Sequence, residues 1–169
     1  MEWLLLKKSK GQVFSADTLL GLLVFLFALS IVFFYTSQLF ERQSAFFEEL
    51  ELKTQTFNAL SSLVETKGFP SNWEFQNIPE IKAFGIASSP GIVDSAKLES
   101  FLQISQSDYD SVRKTLGLSK FNYRLSINDL NGESVAIAGS DAKGIFSFKA
   151  SRLALLNNEA VLVSLEAFK

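Results

Sequence analysis

Cysteine and histidine are both absent from the 169 residues. The first absence rules out a disulfide framework, and the two together rule out His/Cys metal sites and Ser-His or Cys-His nucleophilic pairs. A chain exported in this state must be held by packing, by neighbouring subunits, or by both. Proline is scarce, with three in the whole chain, and neither proline nor glycine occurs from residue 22 to residue 67. Nothing there punctuates a helix. No Asn-x-Ser/Thr triplet occurs, so N-glycosylation is not expected. Charge of one sign is also missing. The net charge is −2, and no Arg-rich or Lys-rich stripe marks the second half, so nucleic acid is not an expected partner.

What the chain does have is one long apolar run. Residues 18–40 carry no charged side chain and consist mainly of Leu, Phe, Val, Ile and Ala. About 20 helical residues cross a bilayer core, whereas the apolar part of a removable secretory signal is about 7–15 residues long and ends at small residues. Here the run ends in Ser37-Gln38-Leu39-Phe40-Glu41, which offers no such site. Lys7, Lys8 and Lys10 precede it, and Glu48, Glu49 and Glu51 follow it. Positive flanks stay cytoplasmic. The expectation is a single-pass membrane protein with its N-terminus inside and everything after residue 40 outside.

The collar ahead of the run reads Lys10-Gly11-Gln12, and the apolar segment follows almost at once. This resembles the class III signal peptides of type IV pilin-like proteins, archaeal ones especially. The resemblance implies cleavage between Gly11 and Gln12 by a prepilin-peptidase-like aspartic protease in the membrane, with Lys10, Gly11 and Gln12 as the processing site. The retained helix would then pack with other pilin-like subunits in a cell-surface filament or pseudopilus-like assembly. Many pilins carry a glutamate at the fifth mature position. Here that position is Ala16, and the acid is Asp17, one later. Asp17 or Ser15 is a natural N-cap, and the Asp17 carboxylate suits the positive end of a helix dipole; pairing with a neighbour's terminal amine is the alternative. Small residues that allow close helix approach are Gly21, Ala28 and Ser30. The pattern Phe14-Ser15-Ala16-Asp17 before a leucine run, with Gly68-Phe69-Pro70 and Trp73 later, is similar to a group of archaeal membrane-anchored pilin-like proteins. The rival expectation is an uncleaved anchor whose head binds an envelope partner or a small ligand.

The helical pattern continues beyond the run. Phe40, Gln43, Phe47, Leu50, Thr54, Phe57, Ser61 and Val64 follow three-four spacing, broadened by Phe46, Leu60 and Leu63. Gly68 suits a C-cap, with Pro70 just beyond. The reading is a leader (1–11), a transmembrane or filament-core helix (12–40), an amphipathic stalk helix (41–67) whose stripe is the core face of the head, and an extracytoplasmic head (68–169). Trp73 is expected to be a core anchor.

Within the head, Asp94 and Ser107 are expected to cap two short helices over 95–103 and 108–116. Leu98, Phe101 and Leu102 would face inward on the first, and Tyr109, Val112 and Leu116 on the second. From residue 121 the period changes to two. Asn131-Gly132 and Asn157-Asn158 then mark two hairpins. The expected fold class is α+β: a long N-terminal helix packed on a small head of two short helices and a four-stranded antiparallel sheet.

Chemistry has few carriers. No Gly-rich phosphate loop follows a strand. Asp129, Asn131, Glu133, Ser140 and Asp141 supply the hard oxygens calcium needs, but lack EF-hand spacing, and turn geometry alone gathers such residues. A structural subunit is expected, not an enzyme, with no metal and no cofactor.

Overall fold

Leu, Phe, Ala and Glu predominate over residues 19–65 without a breaker after Gly21, and all are compatible with helix. The computed structural model describes residues 11–141 and 144–169. In it α1 (Gly11–Glu65) is one helical element. Two compact units divide the chain, Met1–Phe47 and Glu48–Lys169. The described part of the first is α1 as far as Phe47.

In the second unit, α1 contributes Leu52, Thr56, Ala59, Leu60, Leu63 and Val64 to the core. This seam differs from the expected one, because Leu50 and Phe57 are exposed. Both faces of residues 46–64 carry large apolar side chains, so spacing alone does not choose between them. The sheet selects the face with small residues, Thr56 and Ala59, which let the helix approach. Phe57 lies outside, its ring 5.0 Å from the Arg152 guanidinium. Burying Leu60 and Leu63 completely stabilises the head by about 1.5–3 kcal/mol each.

After α1 the chain turns through Gly68, which has φ +81°, and places Trp73 in the core with no exposed surface. Two single 3₁₀ turns follow, Trp73–Phe75 and Ile78–Glu80. Next come β1 (Ala87–Ser89) and β2 (Ile92–Val93), then α2 (Ser95–Ser107) and α3 (Tyr109–Thr115). Strands β3 (Asn122–Asp129), β4 (Ser134–Gly139), β5 (Ser147–Leu156) and β6 (Glu159–Phe168) complete the head. Asp94 caps α2, accepting from the amides of Ala96 and Lys97. The cap of α3 is Asp108, not Ser107: its carboxylate accepts from the Ser111 amide at 3.1 Å.

The expected four-stranded antiparallel sheet is corrected to a mixed sheet of six strands, in the order β1-β2-β5-β6-β3-β4. Its parallel member is β2 against β5, with Ile92 opposite Leu155 and Val93 opposite Leu156. Strands of three and two residues are too short to carry a period-two signal, so the sequence pattern does not announce them. The helices differ as well. The first runs to Ser107 and the second is only seven residues long.

One sheet face is buried. It presents Tyr123, Leu125 and Ile127 on β3, Ala138 on β4, Ala150, Ala154 and Leu156 on β5, and Val161, Val163, Leu165 and Ala167 on β6. The same core cluster includes the α1 seam and Leu98, Phe101 and Val112. Trp73, Phe84 and Phe101 meet edge to face, with centroid distances of 5.1 and 5.5 Å. Asn157 and Asn158 both have positive φ, 52° and 67°, the conformation a type I′ hairpin requires.

Candidate functional site

Every residue of Ala16–Phe40 is exposed, and this helix is long and apolar enough to cross a membrane. A helix that is apolar on all sides is not stable with that surface in water. Three of its hydroxyls are turned inward on the backbone. Ser30 donates to the Leu26 carbonyl at 2.8 Å, Thr36 to the Val32 carbonyl at 2.8 Å, and Ser37 to the Phe33 carbonyl at 2.9 Å. Such bonds satisfy these three hydroxyls within the helix itself, so they need no partner from lipid. The surface therefore suits a bilayer interior or the apolar faces of other helices.

Of the expected processing residues, Lys10 lies outside the described residues, while Gly11 and Gln12 lie in α1. Because the backbone is helical from Gly11 onward, Ser15 and Asp17 lie within the helix and not at an N-cap position. The expected assembly residues do not share one face. At about 100° per residue, Asp17, Gly21 and Ala28 fall on one line, continued by Val24, Ile31 and Tyr35, whereas Ser30 lies nearly opposite Gly21. A Cβ added to Gly21 would meet nothing within 4 Å, so that position leaves a notch in the seam.

In the head, the functional-looking groups are tied into structure. Lys97 is buried on α2. Its Nζ donates to the carbonyls of Lys67 (3.0 Å) and Ser71 (2.5 Å) and to Glu74 Oε2 (3.0 Å), and it stands 5.5 Å from the Trp73 ring. Trp73 Nε1 donates to the Gly85 carbonyl at 2.9 Å. A Cβ on Gly68 would sit 2.5 Å from Trp73 Cδ1, so this corner of the head closes only around glycine. Sequence reasoning found Trp73 but missed Lys97, whose position on an amphipathic helix gives no signal of burial.

Tyr123 is the other buried polar group. Its ring stacks on Tyr109 at 5.0 Å, and its hydroxyl lies 2.6 Å from Ser105 Oγ. Burial pushes that hydroxyl up to about 12, against the opposing effect of the Ser105 bond. The oxygens considered for calcium have other work. Asp129 accepts from the Glu133 amide (2.7 Å) and from Asn131 Nδ2 (3.1 Å), and Asp141 pairs with Arg124 at 2.8 Å. Among the described residues no three carboxylates converge.

An open groove of about 760 Å³ runs past Glu74, Asn77, Ile104, Asp108, Ser111 and Lys114. Two of its acids are already engaged, Glu74 by Lys97 and Asp108 as the cap of α3. At the start of the second unit, Glu48 accepts from Lys169 Nζ and Glu51 from Lys120 Nζ, both at 2.9 Å. The Lys169 hydrogen bond, reinforced by its charge, holds the Glu48 carboxyl below its ordinary value.

No protein-family model matches this chain, and neither a curated protein nor a solved structure matches it.

Proposed function

We propose that this chain is an exported, pilin-like structural subunit. It sits in the cell membrane with its N-terminus cytoplasmic and its head outside, and assembles through its apolar helix. The observation that carries the reading is the fully exposed apolar segment Ala16–Phe40, set directly behind the Lys7-Lys8-Ser9-Lys10-Gly11-Gln12 collar. In this reading a prepilin-peptidase-like aspartic protease cuts between Gly11 and Gln12. The Asp17–Gly21–Ala28 line then meets other subunits, and the head serves as a structural and contact element without catalysis.

The intact mass of the protein from native membranes tests the reading. Loss of residues 1–11 supports processing and assembly. A mass that retains Lys7, Lys8 and Lys10 makes the collar a topology signal only. That result shifts the function to an uncleaved single-pass anchor with a binding head, a reading for which the groove beside Asp108 and Lys114 is the place to look.

A further inference from the structure

The most exposed large apolar side chain described is Ile145, 98 % accessible, and its neighbour Phe146 is 59 % accessible. They are not on a loose tip. The Ile145 amide donates to the Lys169 carbonyl at 3.0 Å, and the Lys169 amide donates to the Phe146 carbonyl at 3.0 Å. Those bonds pin the segment to the end of β6. The Lys169 side chain in turn reaches Glu48. The pair is thus anchored beside the first turn of α1 in the head, at the sheet end where Asn122 and Phe168 pair. The β3–β4 turn, with exposed Leu130, lies at the other end of the same strands.

Glu48 lies eight positions after Phe40, the last residue of the apolar span, so chain length alone keeps their Cα atoms within about 28 Å. The acids here are neutralised: Glu48 by Lys169, Glu49 by Lys53 and Glu51 by Lys120. This end of the head therefore presents no unpaired carboxylate from that turn to repel headgroups. Exposed aliphatic and aromatic side chains held by backbone bonds suit the headgroup–acyl boundary.

We infer that Ile145 and Phe146 form a second membrane contact, inserting into the outer leaflet of the bilayer that residues 16–40 span and holding the head against it. The inference rests on the membrane-span part of the proposed function, and not on filament assembly.

The natural absence of cysteine makes the test direct. The full chain carries one nitroxide at Ser147→Cys, leaving Ile145 and Phe146 intact, and is placed as single copies in phosphatidylcholine/phosphatidylglycerol nanodiscs. Parallel samples carry the label at Leu130→Cys and at Leu26→Cys. Collisions with a water-soluble nickel chelate are expected to fall several-fold at 147 relative to 130. Ile145→Asp together with Phe146→Asp is expected to restore them, and both side chains are exposed enough for the fold to tolerate the change. Equal access at 147 and 130, with Leu26 shielded, overturns the inference while the span stands. Shielding at 147 only in discs holding several copies also overturns it, because a neighbouring subunit is then the cover. Access at Leu26 overturns the span itself and the inference with it.

Discussion

Replacing Lys97 by Met keeps the stem of the side chain and removes its ammonium. The group removed has three acceptors, the carbonyls of Lys67 and Ser71 and the Glu74 carboxylate. Lys97 and Glu74 side chains are 8 % and 16 % accessible, so water replaces little of what is lost. Breaking a buried ion pair by deleting one partner costs about 3–5 kcal/mol, because the remaining charge stays uncompensated. Glu74 lies closer to solvent than Lys97, which places the expected cost near the lower limit, about 3 kcal/mol. For a unit the size of the head that is a fall in Tm of about 10–15 °C. The assay is urea and thermal unfolding of the full chain in detergent micelles. A Trp3→Phe background leaves buried Trp73, 5.5 Å from Lys97 Nζ, as the only tryptophan. Glu74→Gln is expected to destabilise when Lys97 is present and to be neutral or stabilising beside Lys97→Met, since it then deletes an unpaired charge. A cost below about 1 kcal/mol for Lys97→Met, within the range of exposed pairs, would refute the reasoning. So would an equal effect of Glu74→Gln in both backgrounds.

Further outcomes follow from the same structure. The Tyr123 hydroxyl is raised from 10.0 to about 12 by burial. A folded-state value above the unfolded one means full stabilisation below about pH 10, lost as pH climbs toward 12, by up to about 3 kcal/mol. Absorbance at 295 nm, with Tyr123→Phe as the difference, should show the Tyr123 contribution appearing only as the head unfolds; its ionisation near pH 10 in the folded state contradicts this. Gly21→Leu and Ala28→Leu, on one line of the apolar helix, should weaken self-association in micelles measured by energy transfer, whereas Ser30→Leu on the opposite side should not. Equal effects at all three positions would dismiss the seam.

Much of this architecture was readable from residues with local causes. The apolar run needs no tertiary partner to be recognised. Asp94 bonds to amides two and three residues on, and Asn157-Asn158 sets its hairpin by its own left-handed backbone. Tyr123, Leu125 and Ile127 alternate because β3 has one wet face and one dry one. What failed depends on distant partners. Strands β1 and β2 exist because β5 offers an edge more than fifty residues away, and no pattern within Ala87-Ser88-Ser89 announces that. The seam of α1 was misphased because Leu50 and Phe57 are as apolar as Leu52 and Leu60, and only the sheet decides which set is covered. Ser107 and Asp108 are both good caps, and a one-residue shift between them is invisible without the backbone. Ser30 was grouped with Gly21 and Ala28 by size, whereas helix geometry puts it on the other side. Lys97 carried no local mark of burial, since its three acceptors come from the turn that follows α1.

A single helix therefore answers to two different surroundings. From Leu19 to Phe40 its large side chains are apolar in every direction, and Ser30, Thr36 and Ser37 bond back to its own carbonyls, so this part demands an apolar medium without specifying one direction of contact. From Leu52 to Val64 the buried positions occupy one face, and the other face carries Glu49, Lys53 and the Phe57–Arg152 contact. Between them the acids Glu48, Glu49 and Glu51 are each matched by a lysine, two of them distant in the head's sequence, Lys120 and Lys169. Those long-range pairs are weak singly, each worth at most about 1 kcal/mol at such exposure. Their placement matters more than their strength. They close the head around the first turn of its own helix segment, and Lys169 brings Ile145 and Phe146 to the same place. Apolar residues that enter a bilayer have a physical reason to be held by backbone bonds. A mobile loop would lose ordering entropy on insertion, whereas one already bonded to the last strand loses little. The rigid attachment of Ile145 to Lys169 is thus the feature that makes a bilayer contact favourable for so small a patch.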